Sequence, residues 1–360
     1  MTAWLLFAAL FLAFGNGAND NFKGFATVWG SRELTYRTAL ALATVATLAG
    51  SLLSLVLAEA LVSRFTGIGL VADDVASAPE FMLAVALAAA LTVIAATRAG
   101  FPVSTTHALI GGLIGAGLAT SGTAINLDEL GSKFLLPLLV SPIIAAGLGL
   151  AACALLRQRN RADCLCLVEP TVSADPGGAL TVRADTVSRI LIGTKSECDN
   201  LVPSPARLSL SALKDGMHLM SAASICFARG VNDTPKLAAL LLGTRALGSH
   251  ESIGVIAAAM ALGGVLFARR VAETMSLRLN RMNASQGLSA NLITATLVLF
   301  ASKFGLPVST THVSVGSIAG TGAGGGTTDW HTFRNILLSW LATLPAAAAL
   351  AWMVVLALHP

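Results

Sequence analysis

The hexapeptide Pro-Val-Ser-Thr-Thr-His occurs twice in this chain, at residues 102–107 and again, unchanged, at residues 307–312. Each copy stands ahead of a glycine-rich apolar stretch. A polar motif that returns intact in the same context indicates a chain built from two related halves. We therefore expect the functional site to lie where the two halves meet.

Each hexapeptide has the features of a helix start. Proline has no backbone donor and a φ near the helical value, so we expect helices to begin at Pro102 and Pro307. The hydroxyl groups that follow, with the unpaired N–H groups and the positive dipole end of each helix, form an anion site. Two such starts that face each other predict a cage for an oxyanion. The alternative is that Ser and Thr simply cap buried helices and that His finds a partner in the core.

The composition indicates an integral membrane protein. Of the 360 residues, 55% are hydrophobic and 12% are charged, against about 25% charged residues in a soluble domain. Leu, Ala and Gly dominate, so an all-α polytopic fold is expected to satisfy the backbone within the bilayer. We interpret the apolar N-terminus as the first helix and not as a cleaved signal, because no basic segment precedes it. Apolar stretches, several near the ~20 residues that span a bilayer, lie at residues 38–58, 81–97, 134–156, 253–268, 288–302 and 336–358.

A polar motif interrupts the first apolar segment. Residues 4–14 are apolar, and Gly-Asn-Gly-Ala-Asn-Asp follows at residues 15–20. Helix breakers and an aspartate are costly at membrane depth unless they line a cavity or bind a ligand. The pattern Gly-x-Asn-Asp-x-x-Lys returns at residues 230–236, again ahead of a hexapeptide, as expected after gene duplication. The shared residues are Asn19, Asp20 and Lys23 in the first half and Asn232, Asp233 and Lys236 in the second.

The segment count predicts three parts: a first membrane repeat at residues 1–156, a cytoplasmic insert at residues 157–214 and a second membrane repeat at residues 215–360. Each repeat has five segments, including its broken helix and its hexapeptide segment, and an odd number inverts the second repeat relative to the first. Short cytoplasmic loops are enriched in Lys and Arg, which places the insert inside and both termini outside. The hexapeptide segments are short and contain glycines, so they suit re-entrant hairpins as well as full crossings.

The insert between the repeats is assigned no chemistry. Residues 165–168 and 180–182, separated by Asp-Pro-Gly-Gly, predict a short β-hairpin. Three of the five cysteines, Cys164, Cys166 and Cys198, lie in the insert, but they lack any strong zinc spacing. We therefore expect reduced thiols here.

The paired motifs resemble those of the inorganic phosphate transporter (PiT or PHO4) family. Gly-Ala-Asn-Asp at residues 17–20, Gly-Val-Asn-Asp at residues 230–233 and the two hexapeptides carry the resemblance. It covers nearly the whole chain outside the insert, and it implies a secondary transporter that moves inorganic phosphate with a cation. The resemblance implies cation coordination or coupling by Asn19, Asp20, Asn232 and Asp233. It implies phosphate binding by Ser104, Thr105, Thr106, Ser309, Thr310 and Thr311.

The chain departs from the family at three positions. Lys23 and Lys236 follow the two aspartates where the family signature continues with small or apolar residues. Asn291 follows Gly-Leu-Ser-Ala at residues 287–290, where the family tends to have glutamate. These changes add positive charge and remove negative charge near the expected site.

Charge balance matters at such a site. An unpaired ion in a low-dielectric environment costs many kcal/mol, whereas a helix terminus returns only about 0.3 to 2 kcal/mol. Helix ends alone therefore cannot hold a phosphate dianion. The remaining charge must come from co-bound sodium, from protons on His107 or His312, or from Lys23 and Lys236. The alternative for the two lysines is that they extend to the membrane surfaces.

The sequence is compatible with two functions other than phosphate transport. A sulfate or other oxyanion permease is the nearer one; Asp20 or Asp233 could accept the O–H of monohydrogen phosphate, which sulfate lacks. An intramembrane hydrolase is remote, although Ser104, His107 and Asp20 contain the residue types of a catalytic triad. Duplication of the whole constellation favours alternating access around a central site over catalysis.

We expect a multi-pass protein of the cell (plasma or inner) membrane that is not an enzyme. The expected partners are inorganic phosphate, sodium or protons, and membrane lipid, with no organic cofactor and no metal beyond a coupling sodium ion. The sequence leaves open the coupling ion, its stoichiometry, the oligomeric state and whether phosphate travels free or as a metal complex. Glycine stripes are compatible with a homodimer. We attribute the net charge of +4 to basic residues in loops and predict no nucleic-acid partner.

Overall fold

The computed structural model describes residues 1–57, 61–62, 65–67, 69–121, 125–156, 164–168, 189–193, 207–242, 247–280 and 282–358. These residues form two compact units. One unit comprises Met1–Cys153 and His218–Pro360, and the other comprises Ala154–Met217.

The regular elements that the structure describes between residues 2 and 156 are helices. A 3₁₀ turn at Lys23–Phe25 follows the first helix, and a π-helical turn at Leu130–Leu135 precedes the last one. The helices are α1 (Thr2–Asp20), α2 (Ala26–Gly30), α3 (Tyr36–Leu57), α4 (Asp73–Ala76), α5 (Pro79–Ala99), α6 (Thr105–Ser121), α7 (Leu127–Glu129) and α8 (Leu136–Leu156).

The second half repeats this pattern of long helices. A π-helical turn at Thr274–Arg278 extends the short helix α11. The helices are α9 (Leu210–Leu242), α10 (Ser249–Phe267), α11 (Arg269–Glu273), α12 (Ala284–Lys303), α13 (Thr310–Gly325) and α14 (Trp330–Leu358).

The described residues contain seven helical segments that are long and apolar enough to span a membrane. They begin with Thr2–Gly30 and end with Trp330–Leu358. Helices keep every backbone hydrogen bond within the segment, which is what a bilayer demands. The prediction of an all-α polytopic membrane protein is therefore confirmed.

The prediction that helices start at the prolines of the hexapeptides is wrong. The helices α6 and α13 begin three residues later, at Thr105 and Thr310. The hydroxyl of Ser104 accepts a hydrogen bond from the backbone N–H of His107 at 3.1 Å, and Ser309 accepts one from His312 at 3.2 Å. Serine is a strong N-cap, so the cap sets the first helical residue and the preceding prolines lie outside the helices.

The two hexapeptide helices are short. The helix α6 has 17 residues and α13 has 16, fewer than the ~20 that span a bilayer. A left-handed glycine, with φ of 78° at Gly100 and 65° at Gly305, ends or follows the preceding helix in both halves. The lengths are compatible with re-entrant segments, which remain a prediction.

Close contacts between helices of the two halves occur in corresponding pairs: a glycine of one half approaches a backbone oxygen of the other half, and the equivalent glycine of the other half does the same in return. A Cβ on Gly17 would lie 1.8 Å from the carbonyl oxygen of Met260, and one on Gly230 would lie 2.2 Å from that of Thr47. A shift of 213 positions relates Gly17 to Gly230 and Thr47 to Met260, as it relates Asp20 to Asp233. Each half therefore packs its motif-bearing helix, α1 or α9, against a helix of the other half, α10 or α3. The predicted break is present after Asp20, where α1 ends, but it is wrong for the second half, because α9 runs from Leu210 to Leu242 through the motif at residues 230–236.

The hexapeptide helices α6 and α13 also pack against helices of the other half of the chain. Gly115 of α6 faces the carbonyl oxygen of Ala348 in α14, and Gly320 of α13 faces that of Ala146 in α8. A Cβ at these glycines would come within 2.0 and 2.1 Å of those oxygens, so only glycine allows the approach. A helix of the first half of the chain thus packs closely against the hexapeptide helix of the second half, and a helix of the second half packs against that of the first.

The second unit contains a three-stranded antiparallel sheet with the order β2-β1-β3. The strands are β1 (Cys164–Val168), β2 (Arg189–Gly193) and β3 (Arg207–Ser209). The predicted strand at residues 165–168 is confirmed, but its partner is Arg189–Gly193, paired from Cys164↔Gly193 to Val168↔Arg189. The apolar residues Ile190, Leu191 and Ile192 of β2 suit a strand. The predicted partner strand, residues 180–182, lies outside the described residues.

Candidate functional site

The two intramembrane aspartates lie in one buried cluster. Asp20 is the last residue of α1, and Asp233 lies within α9. Asn16, one turn before Asp20, connects them: its Nδ2 lies 3.2 Å from Asp20 Oδ2 and 3.3 Å from Asp233 Oδ2. The same nitrogen lies 3.0 Å from Thr105 Oγ1 at the start of α6. One amide thus joins both repeated motifs to a hexapeptide.

The ammonium group of Lys23 is held in a cage of oxygen atoms. It forms an ion pair with Asp20 Oδ1 and donates to Asn19 Oδ1 at 2.8 Å. It also donates to the carbonyl oxygen of Val103 at 3.1 Å and to Thr311 Oγ1 at 2.6 Å. The Lys23 side chain is only 3% exposed.

The ammonium group of Lys236 is held in the corresponding way. It donates to the carbonyl oxygen of Val308 at 2.8 Å and to Thr106 Oγ1 at 3.0 Å, and it forms an ion pair with Asp233 Oδ1 at 3.7 Å. Its side chain is only 2% exposed. The alternative that the two lysines extend to the membrane surfaces is therefore wrong, because both ammonium groups end inside the protein.

Two contacts of each cage correspond with the halves exchanged, and the Lys23 cage has the amide oxygen of Asn19 in addition. Val103 and Val308 are the second residues of the two hexapeptides, and Thr106 and Thr311 are the fifth residues. Each lysine contacts the valine carbonyl of its own half and the threonine hydroxyl of the other half. The two lysines therefore connect the halves at the point where the hexapeptides meet.

The two motif asparagines fix the ends of the hexapeptides. Asn19 donates to Thr97 Oγ1 at 2.8 Å and accepts from the N–H of Val103 at 3.1 Å. Asn232 accepts from Ser302 Oγ at 3.1 Å. Thr97 and Ser302 both stand five residues before a hexapeptide proline, so this contact also recurs in both halves.

Arg229 and Asn16 belong to the cluster but were not predicted as site residues. Arg229 donates to Asn16 Oδ1 at 3.0 Å and to Asn21 Oδ1 at 3.3 Å, and its Nε lies 3.5 Å from Asp233 Oδ2. Its side chain is 1% exposed. The signal was present in the sequence, since Asn16 and Arg229 each stand four residues before an aspartate and so share its helix face.

The hydroxyls predicted to bind phosphate are all buried at this junction, but they differ in their contacts. Thr105, Thr106 and Thr311 make the contacts described above with the amide of Asn16 and the two ammonium groups. The two serines act as helix caps. The six buried residues are Ser104, Thr105, Thr106, Ser309, Thr310 and Thr311.

His107 and His312 face an apolar cavity. Their ring centroids are 4.4 Å apart, and the ring of His312 stacks on Trp340 at 3.8 Å. The cavity has a volume of about 750 Å³ and is lined otherwise by apolar and aromatic side chains of α8, α13 and α14. Among the described residues neither imidazole forms an ion pair with Asp20 or Asp233. The structure thus does not bring the two histidines to the carboxylates.

Asn291 lies in a second buried polar network. It accepts from Thr27 Oγ1 at 3.1 Å and donates to Ser221 Oγ at 3.2 Å. Thr27 also contacts His218 Nε2 at 2.8 Å, and His218 Nδ1 lies 2.7 Å from Glu33. The amide at position 291 is therefore satisfied by neutral hydroxyl groups.

A polytopic helical protein whose two halves exchange contacts around a buried charged cluster has the architecture of a membrane transporter. The model of the phosphate transporter family (PHO4) matches residues 16–351 of this chain. The chain belongs to the phosphate transporter family. Members of this family are transporters and not enzymes, so the hydrolase alternative is excluded.

Individual relatives match over nearly the full chain. A putative phosphate permease of Chlamydia muridarum is 26% identical, over 99% of both chains. The chloroplastic inorganic phosphate transporter 2-1 of Arabidopsis thaliana is 27% identical, over 97% of this chain and 70% of its own. The solved structure of a sodium-dependent phosphate transporter superposes with a TM-score of 0.77 at 21% identity, over 99% of this chain and 98% of the other. This likeness confirms the fold.

Proposed function

We propose that this protein is a secondary transporter that carries inorganic phosphate, together with a cation, by alternating access between two inverted repeats. The cation is sodium or a proton. The observation that supports this proposal most directly is a reciprocal pair of hydrogen bonds between the two halves. Lys23 donates to Thr311, and Lys236 donates to Thr106. A site built equally from both halves is what rocking of one half against the other requires.

The buried charges support an anionic substrate. Lys23, Lys236 and Arg229 are buried together with two carboxylates. Burying ionised side chains at membrane depth is costly and marks substrate pathways. An oxyanion that accepts hydrogen bonds from ammonium, guanidinium and hydroxyl groups would compensate this cost.

In this proposal the residues take the following roles. Phosphate is bound at the junction of the hexapeptides by the six serine and threonine residues at positions 104–106 and 309–311, of which Thr106 and Thr311 already contact the ammonium groups. The motif residues Asn19, Asp20, Asn232 and Asp233 bind or couple the cation that accompanies phosphate. In support, Asn19, Asp20 and Asp233 already contact an ammonium group of Lys23 or Lys236.

We also propose the orientation predicted from the loop charges. Both termini are outside the cell membrane and residues 157–214 are in the cytoplasm. Single cysteines are introduced as Thr2→Cys and Asp175→Cys in a variant that lacks the five native cysteines, and intact cells are treated with a membrane-impermeant maleimide. Labelling at position 2 alone is expected, and labelling at position 175 alone would reverse the orientation.

The direct test is uptake of radiolabelled phosphate into proteoliposomes under an inward sodium gradient or an inward proton gradient. Uptake above empty liposomes under either gradient is expected. Excess sulfate should not compete, because it lacks the O–H that a carboxylate accepts. Competition by sulfate as strong as that by unlabelled phosphate would favour the oxyanion permease instead.

A further inference from the structure

The oxygen cages around the two lysines are the places where a sodium ion would be expected to bind. The cage of Lys23 combines a carboxylate, a side-chain amide oxygen, a backbone carbonyl and a hydroxyl. Such oxygen atoms are the ligands of hard metal cations. In this chain an ammonium group already occupies the center of the cage.

Sodium does not fit beside the ammonium group. Three of the cage oxygens lie between 2.6 and 3.1 Å from Lys23 Nζ, which leaves no position between them for a second cation. A second positive charge within a few Å would also be repelled strongly in a buried site. The side chain of Lys23 is tied to its cage by four contacts and is buried, so it does not vacate the cage by rotating into solvent.

We infer that Lys23 and Lys236 act as tethered cations in the two oxygen cages, so that this transporter moves phosphate without sodium. The inference rests on the proposed function and decides between the two cations that it leaves open. The correspondence between the two halves strengthens the inference. An ammonium group occupies each of the two cages, not just one. A cation that belongs to the chain is present in every transport cycle and need not be taken up.

The charge of the cluster then selects the form of phosphate. Three cations, Lys23, Lys236 and Arg229, accompany two carboxylates, Asp20 and Asp233, which leaves one positive charge. A monovalent oxyanion such as dihydrogen phosphate makes the loaded site neutral, whereas a dianion leaves it with an unpaired negative charge. The proton carried by dihydrogen phosphate is therefore the cation that accompanies the substrate.

The first test measures phosphate uptake by the wild-type protein in proteoliposomes while sodium is replaced by potassium at constant ionic strength. The expected rate is unchanged by the replacement and increases several-fold when the outside is made more acidic than the inside. A several-fold increase with sodium at fixed pH would overturn the inference and leave phosphate transport standing. Absence of uptake under every gradient would instead refute the proposed function.

The second test needs no transport activity. The Tm of the purified full chain is measured in sodium chloride and in potassium chloride of equal concentration. The wild type should melt at the same temperature in both salts. Lys23→Ala and Lys236→Ala open a cage, so sodium should raise their Tm by about 2 °C or more, because a ligand that binds only the folded state stabilises it. A sodium-dependent Tm of the wild type would contradict the inference.

Two further variants separate the effect of removing the lysine charge from the effect of opening a cavity or of substituting any lysine. Lys23→Met fills the cage without a charge, so its Tm should not respond to sodium. Lys133→Ala removes an exposed lysine that pairs with Glu129 and serves as the matched control without a sodium response. If neither alanine variant at position 23 or 236 gains a sodium response, the cages are not cation sites and the inference is wrong. If an alanine variant fails to fold, the wild-type measurement alone decides.

Discussion

The buried ion pair between Lys23 and Asp20 predicts that substitutions of its two members are strongly non-additive. Lys23→Met keeps the length of the side chain and removes the ammonium group. It leaves Asp20 with the hydrogen bond from Asn16 Nδ2 at 3.2 Å. Asp20→Asn leaves the ammonium group with the oxygens of its other three partners.

The magnitude follows from the charge that each single variant leaves behind. Removing one member of a buried ion pair costs about 3 to 5 kcal/mol. We expect about 3 kcal/mol for each single variant, because the remaining charge keeps the hydrogen bonds named above. The double variant leaves neither charge, so it should be destabilised by no more than about 3 kcal/mol, which gives a coupling energy of at least about 3 kcal/mol.

The assay is reversible denaturant unfolding of the full chain in detergent micelles, in a potassium salt, with the free energy of unfolding compared across the four proteins. The matched pair is Lys236 and Asp233, whose charged atoms are 3.7 Å apart, and its coupling energy should be smaller. Single effects at positions 20 and 23 that add within about 0.5 kcal/mol in the double variant would refute the reasoning, because they would show that the two charges do not interact.

Three further predictions concern the scaffold. Gly230→Val should prevent stable folding, seen as loss of the monodisperse gel-filtration peak, because a Cβ would meet the carbonyl oxygen of Thr47 at 2.2 Å, whereas Gly131→Val meets nothing within 4 Å and should be tolerated. Ser309→Ala should lower the free energy of unfolding by about 1 kcal/mol through loss of the N-cap, and Ser309→Thr should recover most of it. Hydrogen bonds from the backbone hold the pKa of Asp329 below its usual value, so its stabilising effect is present above the unfolded-state pKa and is lost as pH falls through the folded-state pKa. Asp329→Asn should remove that part of the acid dependence of Tm.

Each of these three predictions would be contradicted by one specific result. A folded Gly230→Val protein with wild-type Tm would show that the two helices are not in contact. An unchanged unfolding free energy for Ser309→Ala would show that the hydroxyl is not a cap. An acid dependence of Tm that is the same in wild type and Asp329→Asn would show that this carboxylate contributes nothing.

The helices and the membrane class could be predicted because both follow from local composition. Apolar runs near the length of a bilayer crossing and the repeated motifs are properties of the sequence itself. The start of each hexapeptide helix was predicted three residues too early, since proline and serine both suit a helix start. Only the hydrogen bonds of Ser104 and Ser309 decide between them.

The contacts of the two lysines could not be predicted from the sequence. Lys23 and Thr311 are 288 positions apart, and no local pattern indicates that they touch. Both surface extension and a role in the site were compatible with the sequence around Lys23 and Lys236. The pairing became visible only when the two hexapeptides were placed against the two motifs.

Arg229 shows a different limit. It breaks the repeat, since the equivalent position in the first half is Asn16. The repeated motif therefore does not indicate Arg229 as a site residue. Its i, i+4 spacing to Asp233 is the signal that could have found it.

The central claim, that phosphate passes through the junction of the two hexapeptides, is tested most directly by exchange in proteoliposomes loaded with unlabelled phosphate. Accumulation of external radiolabelled phosphate requires only a working site and no ion gradient. We predict accumulation by the wild type and by the surface variant Lys133→Ala, and at least a tenfold lower rate for the double variant Thr106→Val, Thr311→Val, because about 1.4 kcal/mol of lost binding is a factor of ten. Exchange by the double variant at the wild-type rate would contradict the account.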